Sequence, residues 1–344
     1  MSARAPFRPR GLPTAIGSLP HRDPQEACAL IWRYLPDIPV WPQLPHRSPL
    51  ENMYAQYSRG FPGVHAGTDR VWVDRSQDLI EGLAQLFADA EAGATEPYAL
   101  TADYAAGLAS FLETARRQGT PVAVKGQLIG PVSWGLTVTD QDRRSLLYDD
   151  TLAEAIAQML RLQAAWQERA LRAVSPRTIL FLDEPYLSAF GSAVVPLSRE
   201  QAVSLITTVL EGISGLRGTH CCGNTDWPLL LETPLDILSF DAFSYAPSLS
   251  LYPREVTAFL ERGGTLAWGI VPSDGATLAV EGVDSLLRRL DEAMALLSAK
   301  GLNPELLREQ CLITPSCGLA SLTPEAAERA LALTAGVSRA FRER

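Results

Sequence analysis

The sequence predicts an α/β protein: a (β/α)8 barrel, in which eight parallel strands alternate with helices, with an insertion after the second strand. Three observations lead to this prediction. Short apolar runs end abruptly in glycine, proline or polar residues, amphipathic segments separate them, and the alternation recurs eight times in 344 residues. An open doubly wound sheet usually needs fewer strands, so the closed barrel is the better interpretation.

The predicted strands follow one another along the whole chain. They are TAIGS (14–18), IPVWPQ (38–43), PVAVKGQ (121–127), TILFLDE (178–184), LRGTHCC (216–222), DILSFDA (236–242), TLAWGI (265–270) and CLITPS (311–316). Helices are predicted in segments such as DPQEACALIWRYL and SREQAVSLITTVLEGI, where an N-cap residue precedes apolar residues at helical spacing. Short apolar runs also occur in buried loops and helices, so the alternation carries the prediction more than any single run.

The chain is predicted to form one domain over residues 1–344. A barrel of this kind takes roughly 250 residues, and much of the excess lies in residues 44–120, between the second and third strands. This insertion contains FPGVHAGTDRVWVDRS, which suits a hairpin, and we expect it to cover the mouth of the barrel. Residues 1–12 are expected to form a flexible tail.

Composition argues against several classes of partner. The net charge is −9 and the arginines are scattered, so no basic stripe is available for nucleic acid or an anionic membrane surface. No apolar run reaches the roughly 20 residues that span a bilayer, and the opening segment lacks the apolar core of a signal peptide. Five cysteines, two of them adjacent, do not suggest a disulfide framework. A cytoplasmic protein with reduced thiols and a small-molecule substrate is predicted.

Candidate metal ligands lie where the predicted strands end, which is where parallel barrels carry their active sites. His220 and Cys222 are two positions apart, so both side chains point to one face of the fifth strand while Cys221 points to the other. Imidazole and thiolate are zinc ligands, and Cys317, followed by a glycine, is the candidate third ligand. Asp241, after the sixth strand, is either a fourth ligand or a support for His220. Alone the motif is weak, because a buried cysteine is most often a small hydrophobic residue.

The whole set of motifs resembles the catalytic domain of cobalamin-independent methionine synthase. TAIGSLPHRDP resembles the opening of that domain, FLDEP its Asp-Glu-Pro strand end, HCCGN its His-x-Cys zinc pair and PSCGL its late zinc cysteine. These motifs occur in the family's order and span residues 14–319. HCCGNT and GPV are also similar to zinc-dependent methylcobamide transferases and to uroporphyrinogen decarboxylase relatives of the same superfamily.

The resemblance implies an enzyme that uses Zn²⁺ to transfer a methyl group to homocysteine, giving methionine, like 5-methyltetrahydropteroyltriglutamate–homocysteine methyltransferase. Carried over by position, it implies that His220, Cys222 and Cys317 bind zinc. It places Asp241 near the position where methionine synthases use a glutamate.

The resemblance also implies a substrate site. The backbone of Ile16, Gly17 and Ser18 and the carboxylate of Asp183 would hold the amino-acid part of homocysteine. Asp183 and the adjacent Glu184 are predicted as catalytic carboxylates. Adjacent residues of a strand point to opposite faces, so only one of them is expected to contact the substrate, and the family position favours Asp183. The alternative is an ordinary carboxylate pair, solvated or bound to an arginine.

Two departures from the family pattern bear on the methyl donor. The family carries a second, N-terminal barrel that helps to bind folate, and it has a histidine just after the seventh strand, whereas LAWGIVPSDG has none. We therefore expect a methylated corrinoid, on a partner protein or free, in preference to folate. The alternatives are another zinc thiol methyltransferase of the methylcobamide type, a non-catalytic barrel that binds metal or corrinoid, and a porphyrinogen decarboxylase. The last needs no metal and would use arginines such as Arg10, Arg22, Arg47 and Arg59.

Overall fold

The computed structural model describes residues 7–67 and 69–344. Its strands are β1 (Leu12–Pro13), β2 (Val64–Ala66), β3 (Val71–Val73), β4 (Val124–Ile129), β5 (Thr139–Asp140), β6 (Thr178–Asp183), β7 (Leu216–Cys221), β8 (Ile237–Phe240), β9 (Thr265–Val271) and β10 (Cys311–Pro315). Its α-helices are α1 (Pro24–Tyr34), α2 (Met53–Gln56), α3 (Ile80–Ala92), α4 (Ala106–Ala115), α5 (Pro131–Thr137), α6 (Asp150–Arg172), α7 (Arg199–Glu211), α8 (Trp227–Glu232), α9 (Ala242–Leu249), α10 (Pro253–Glu261), α11 (Gly275–Val280), α12 (Val283–Ala299), α13 (Pro304–Glu309) and α14 (Pro324–Arg342). Short 3₁₀ helices lie at Pro49–Glu51, Glu96–Tyr98, Leu146–Tyr148 and Pro185–Ala189.

A curled parallel sheet of seven strands forms the centre of the molecule, in the order β1-β10-β9-β8-β7-β6-β4. Strands β4, β6, β8, β9 and β10 are buried along their whole length, as expected for a parallel sheet that helices cover. Six of the eight predicted runs overlap a strand of this sheet. Among the described helices, none combines the length and the apolar composition needed to cross a membrane.

The first predicted run does not form a strand where it was expected. Strand β1 ends at Pro13, and the chain then turns at Gly17, whose φ of +146° is a conformation that side chains with a Cβ rarely adopt. The turn leaves Ile16, Gly17 and Ser18 as a loop at the carboxyl end of the sheet.

The second predicted run, residues 38–43, is not a continuous strand either. Pro39 and Pro42 lack the N–H donors that a ladder needs. The remaining groups still bond on both sides: Trp41 N donates to Lys125 O at 3.2 Å, and Gln43 N donates to Gly17 O at 3.1 Å. The segment thus lies between β4 and the turn that follows β1, the two outer edges of the sheet.

The insertion at 44–120 contains the predicted hairpin. Strands β2 and β3 pair antiparallel, and β3 pairs with the short strand β5 to make a second, three-stranded sheet. Helices α2, α3 and α4 complete the insertion, and α3 packs on α6 while α4 packs on α1.

Of the tail predicted over 1–12, residues 1–6 lie outside the described residues. In residues 7–12, Phe7, Pro9, Gly11 and Leu12 are buried, while Arg8 and Arg10 are exposed. Phe7 is only 8% exposed and joins Phe181, Ile237 and Leu312 in an apolar cluster. Gly11 N donates to Cys311 O at 2.7 Å, which fixes the approach to β1.

Candidate metal centre and active site

A cavity of about 230 Å³ opens at the carboxyl end of the main sheet. Its lining draws on loops that are distant in sequence and includes six of the predicted site residues: Ile16, Ser18, Asp183, His220, Cys222 and Cys317. Parallel α/β proteins place their active sites at this end because the loops that follow the strands converge there.

One imidazole and two cysteine sulfurs meet in this cavity. The potential ligand atoms of His220, Cys222 and Cys317 all lie within 4.8 Å of one another. Zinc–sulfur distances of about 2.3 Å mean that two sulfurs bound to one ion are at most about 4.6 Å apart. The three side chains are therefore spaced almost as one zinc ion requires.

Hydrogen bonding orients the imidazole toward the two sulfurs. His220 is 3% exposed, and its Nδ1 lies 3.0 Å from the hydroxyl of Ser239 on the neighbouring strand β8. Its Nε2 is buried and has no hydrogen-bond partner. Buried polar atoms are normally paired, and a ring nitrogen whose opposite nitrogen is anchored is the usual arrangement of a metal-binding histidine. The donor set and this orphaned atom both fit zinc.

The two sulfurs interact directly. A hydrogen bond from Cys317 and the nearby His220 imidazole lower the pKa of Cys222 to about 4, despite its burial. The pKa of Cys317 is raised, because its thiol donates to Cys222 and is itself desolvated. The pair therefore favours one thiolate even without an ion, and a thiolate is the form of cysteine that binds metal.

Cys221 is turned away from this group, as the strand alternation predicts. It is fully buried, and its thiol points to the carbonyl of Gly223 at 3.6 Å. Burial raises the pKa of Cys221 to about 12. A neutral, apolar role in the core follows for this cysteine.

Asp183 ends strand β6 and pairs in register with His220 on β7. Its carboxylate faces the cavity, is 7% exposed, and has one oxygen, Oδ1, that is buried without a hydrogen-bond partner. Burial raises the pKa of Asp183 to about 6, while the charges of His220 and Lys125 act in the opposite direction. An unpaired buried carboxylate of this kind is suited to bind a cationic group of a ligand.

Glu184 does not line the cavity, in contrast to its predicted catalytic role. Its carboxylate accepts hydrogen bonds from Val132 N (2.9 Å), Ser133 N (2.8 Å) and Ser133 Oγ (2.6 Å) at the start of α5. The reason is the strand alternation, which sends the side chain after Asp183 to the opposite face. Glu184 thus anchors a helix beside the site and does not offer its carboxylate to a substrate.

Asp241 is placed near the sulfurs but outside the three-residue group. It is the N-cap of α9, where its Oδ1 accepts a hydrogen bond from Ser244 N at 2.9 Å. Burial raises its pKa, and the charge on Cys222 acts in the same direction. This carboxylate is close enough to influence the centre, but its observed contact is with the helix.

The residues predicted to hold the amino-acid part of a substrate form one wall of the cavity. Ile16 and Ser18 line it directly. Gly17 lies against the side chain of Gln127: a Cβ at this position would be 2.4 Å from the carboxamide carbon. The turn is therefore shaped both by its own conformation and by the strand beneath it.

Sequence analysis did not identify Glu51, which also lines the cavity. This carboxylate is 1% exposed, pairs with Arg47, and has its Oε2 buried without a partner. Burial raises the pKa of Glu51, and Arg47 opposes that shift. In the sequence Glu51 lies among other polar residues of the insertion, such as Arg47, Ser48 and Asn52, so the local pattern does not point to this cavity.

The four arginines considered for a porphyrinogen site do not all meet at one site. Arg10 pairs with Glu309 at 2.9 Å, Arg47 pairs with Glu51, and Arg59 donates to a backbone carbonyl of the insertion. Arg22 and Arg47 both line a neighbouring pocket. None of the four lines the described cavity at the sheet's carboxyl end.

Comparison with known proteins gives matches among solved structures only. No protein-family model and no curated protein matches the sequence. A methyltransferase from Methanosarcina mazei aligns with a TM-score of 0.56 at 16% identity, over 94% of this chain and 86% of that one. The putative vitamin-B12-independent methionine synthase from Listeria monocytogenes aligns with a TM-score of 0.53 at 14% identity, over 92% and 85%. A B12-independent methionine synthase from Shewanella sp. W3-18-1, in complex with selenomethionine, gives 0.49 at 19% identity, over 68% and 67%.

The fold is therefore one that methyltransferases adopt. More particularly, the solved neighbours include methionine-synthase-like proteins, which is consistent with the family that the motifs resemble. At these identities the likeness concerns the fold, and the activity has to be argued from the site.

Proposed function

We propose that this protein is a zinc-dependent methyltransferase that moves a methyl group to a thiol, with homocysteine as acceptor and methionine as product. The observation that carries the proposal is the meeting of His220, Cys222 and Cys317 in the cavity that also holds Asp183. Three protein ligands leave one position of a tetrahedral ion for substrate, whereas structural zinc sites use four. We also propose that residues 38–43, through their bonds to both sheet edges, complete a (β/α)8 barrel.

The cysteines and the histidine are suited to activate a thiol. A free thiol has a pKa near about 8.5 and is a poor nucleophile while protonated. Bound zinc would supply a Lewis acid that keeps the substrate thiol deprotonated at neutral pH. Two thiolates and a neutral imidazole already balance a double positive charge. A further thiolate makes the group net negative, which keeps electron density on the reacting sulfur.

The carboxylates on the cavity wall are suited to an amino acid. Asp183 and Glu51 both line this region, and Asp183, whose Oδ1 has no hydrogen-bond partner, is the better candidate to bind a substrate ammonium group, since Glu51 already pairs with Arg47. The loop at Ile16–Ser18 is the candidate contact for the substrate carboxylate. The cavity, at about 230 Å³, lies below the roughly 300–1,000 Å³ of pockets for drug-sized ligands, so a small amino acid is the better fit.

A porphyrinogen decarboxylase is the weaker candidate. Its substrate carries several carboxylates and needs convergent cations, whereas this cavity is lined by two carboxylates and two cysteines. The comparisons do not support the predicted corrinoid partner. Homocysteine is therefore proposed as the methyl acceptor, and the choice between corrinoid and folate as the methyl donor is left to experiment.

The test supplies zinc-loaded protein with homocysteine and either methylcobalamin or methyltetrahydrofolate, and measures methionine. We expect methionine with one of the donors, and at least about 10³-fold less from a Cys222→Ala variant, since the thiol would lose its activating centre. Equal methionine formation by the variant, or by metal-free protein, would contradict the proposal. Binding of zinc and homocysteine without product from either donor would favour the non-catalytic alternative.

A further inference from the structure

Lys125 places a positive charge inside the main sheet, directly below the candidate site. It lies on β4, is fully buried, and faces the sheet interior together with Gln127, two positions further on. A lysine is almost never fully buried unless its charge is compensated, since desolvation of an ammonium group is costly. Other groups must therefore compensate the charge of Lys125, and these groups indicate what the buried ammonium does for the site.

The partners of Lys125 lead to the cavity wall. Its Nζ donates to the carbonyl of Ile16 at 2.7 Å and lies 3.4 Å from Oε1 of Gln127. The same ammonium lies 4.2 Å from the centre of the Phe181 ring, a distance at which cations are attracted to an aromatic face. Its single short hydrogen bond is thus to the loop that lines the cavity.

This contact is one of those that fix the loop. Gly17, the next residue, has its φ at +146° and packs against the Gln127 side chain. Lys125 and Gln127 hold the loop from below at two successive residues, Ile16 and Gly17. Without the ammonium, the Ile16 carbonyl would be buried with no charged donor, and the loop would be held only by its remaining contacts, such as the bonds from Gln43 N to Gly17 O and from Leu319 N to Ser18 O.

The electrostatics of the site support the same assignment. Burial lowers the pKa of Lys125 to about 7, and the carboxylate of Asp183 opposes the shift. Conversely, the charge on Lys125 lowers the pKa of Asp183 against the effect of burial. The two groups stabilise each other's charged form across the sheet interior.

We propose that Lys125 is a positioning residue for amino-acid recognition: its ammonium fixes the Ile16 carbonyl, and so holds the Ile16–Ser18 loop in the form that receives the substrate's amino-acid part. The proposal rests on the proposed function for the nature of the substrate. It predicts a specific loss of affinity for amino-acid thiols and no loss of metal.

The test measures binding by calorimetry to the zinc-loaded protein, with L-homocysteine and with 2-mercaptoethanol, a thiol that has no amino-acid part. For Lys125→Met we expect Kd for homocysteine to rise by at least about 10-fold, the effect of losing one hydrogen bond to a charged group. Kd for 2-mercaptoethanol should change by less than about 3-fold, and the zinc content should not change. For Lys125→Gln, which keeps a neutral hydrogen-bond donor, the change in Kd for homocysteine should lie between those of the unchanged protein and Lys125→Met.

A matched control separates positioning from general destabilisation. Glu168→Gln alters a buried carboxylate at the opposite end of the sheet, so both thiols should bind as they do to the unchanged protein. Parallel weakening of both thiols in Lys125→Met and Lys125→Gln, or an unchanged Kd for homocysteine, would overturn the assignment. Failure of the unchanged protein to bind homocysteine would instead overturn the proposed substrate, and this inference with it.

Discussion

Buried polar groups at the two ends of the main sheet differ in whether they have hydrogen-bond partners. At the amino end, the carboxylate of Glu168 on α6 accepts hydrogen bonds from Thr178 Oγ1 at 2.7 Å, from Ser214 N at 2.7 Å and from Gly215 N. It also pairs with Arg172 at 3.1 Å. Each oxygen of this carboxylate is thus bound to the chain, and the group joins α6 to strands β6 and β7.

At the carboxyl end, several buried polar atoms have no partner. They include Nε2 of His220, Oδ1 of Asp183 and Oε2 of Glu51, all on residues that line one cavity. Buried polar atoms without hydrogen bonds are rare and costly in folded proteins. The contrast indicates that Glu168 serves stability, whereas the three cavity residues are placed to bind a ligand.

The largest expected effects come from matched carboxylate-to-amide changes at the two ends. Asp183→Asn should lower kcat/KM for homocysteine by at least about 10²-fold, because a buried ionic contact with substrate is lost. Its effect on the free energy of unfolding should be smaller than that of Glu168→Gln, because removing a charge that burial disfavours is offset by the lost compensation for buried Lys125. Glu168→Gln should lower the free energy of unfolding by about 2 kcal/mol, since the amide leaves one of the donors unpaired, and should leave kcat/KM within about 2-fold.

Urea denaturation and steady-state kinetics on the two variants measure these effects. The comparison would be broken if Glu168→Gln lost activity while remaining folded. It would be broken equally if Asp183→Asn unfolded more readily with its activity intact.

A smaller effect at Glu184 sharpens the comparison, since this residue lies at the functional end but has a fully hydrogen-bonded carboxylate. Burial raises its pKa from 4.5 to about 7. Between these values the folded protein keeps a proton that the unfolded chain releases, so this contribution to stability is complete below about pH 4.5 and is lost as the pH rises through about 7. From pH 5 to pH 8 the loss is on the order of 2 kcal/mol.

The measurement is the free energy of unfolding at pH 5 and pH 8 for the unchanged protein and for Glu184→Gln. The variant lacks the titrating group, so its stability should decrease less over this range. An identical pH dependence of both proteins would contradict this prediction, because it would show that Glu184 does not titrate between pH 5 and pH 8 in the folded protein.

Much of the candidate site was predictable because it depends on strand ends and on alternation within a strand. His220 and Cys222 share a face for this reason, and Cys317 follows another strand of the same parallel sheet. The same alternation turns Glu184 away from Asp183. Both carboxylates were predicted as catalytic, but this rule already indicated that only one of them could face the cavity.

Other features depend on tertiary packing that a local pattern does not encode. Glu51 lines the cavity from a 3₁₀ turn of the insertion, far from Asp183 and His220 in the chain. Lys125 was read as part of an apolar strand, and its role depends on a loop 109 positions away in the chain. The prolines in residues 38–43 interrupt a run that otherwise has the composition of a strand.

The most direct test of the account is the zinc content of two variants with adjacent cysteines replaced, Cys221→Ala and Cys222→Ala, beside the unchanged protein. Both changes remove one sulfur from the same strand end, but only Cys222 faces His220 and Cys317. The account predicts about one zinc per chain in the unchanged protein and in Cys221→Ala, and loss of the metal in Cys222→Ala. No zinc in the unchanged protein, or loss of zinc in Cys221→Ala with retention in Cys222→Ala, would contradict it.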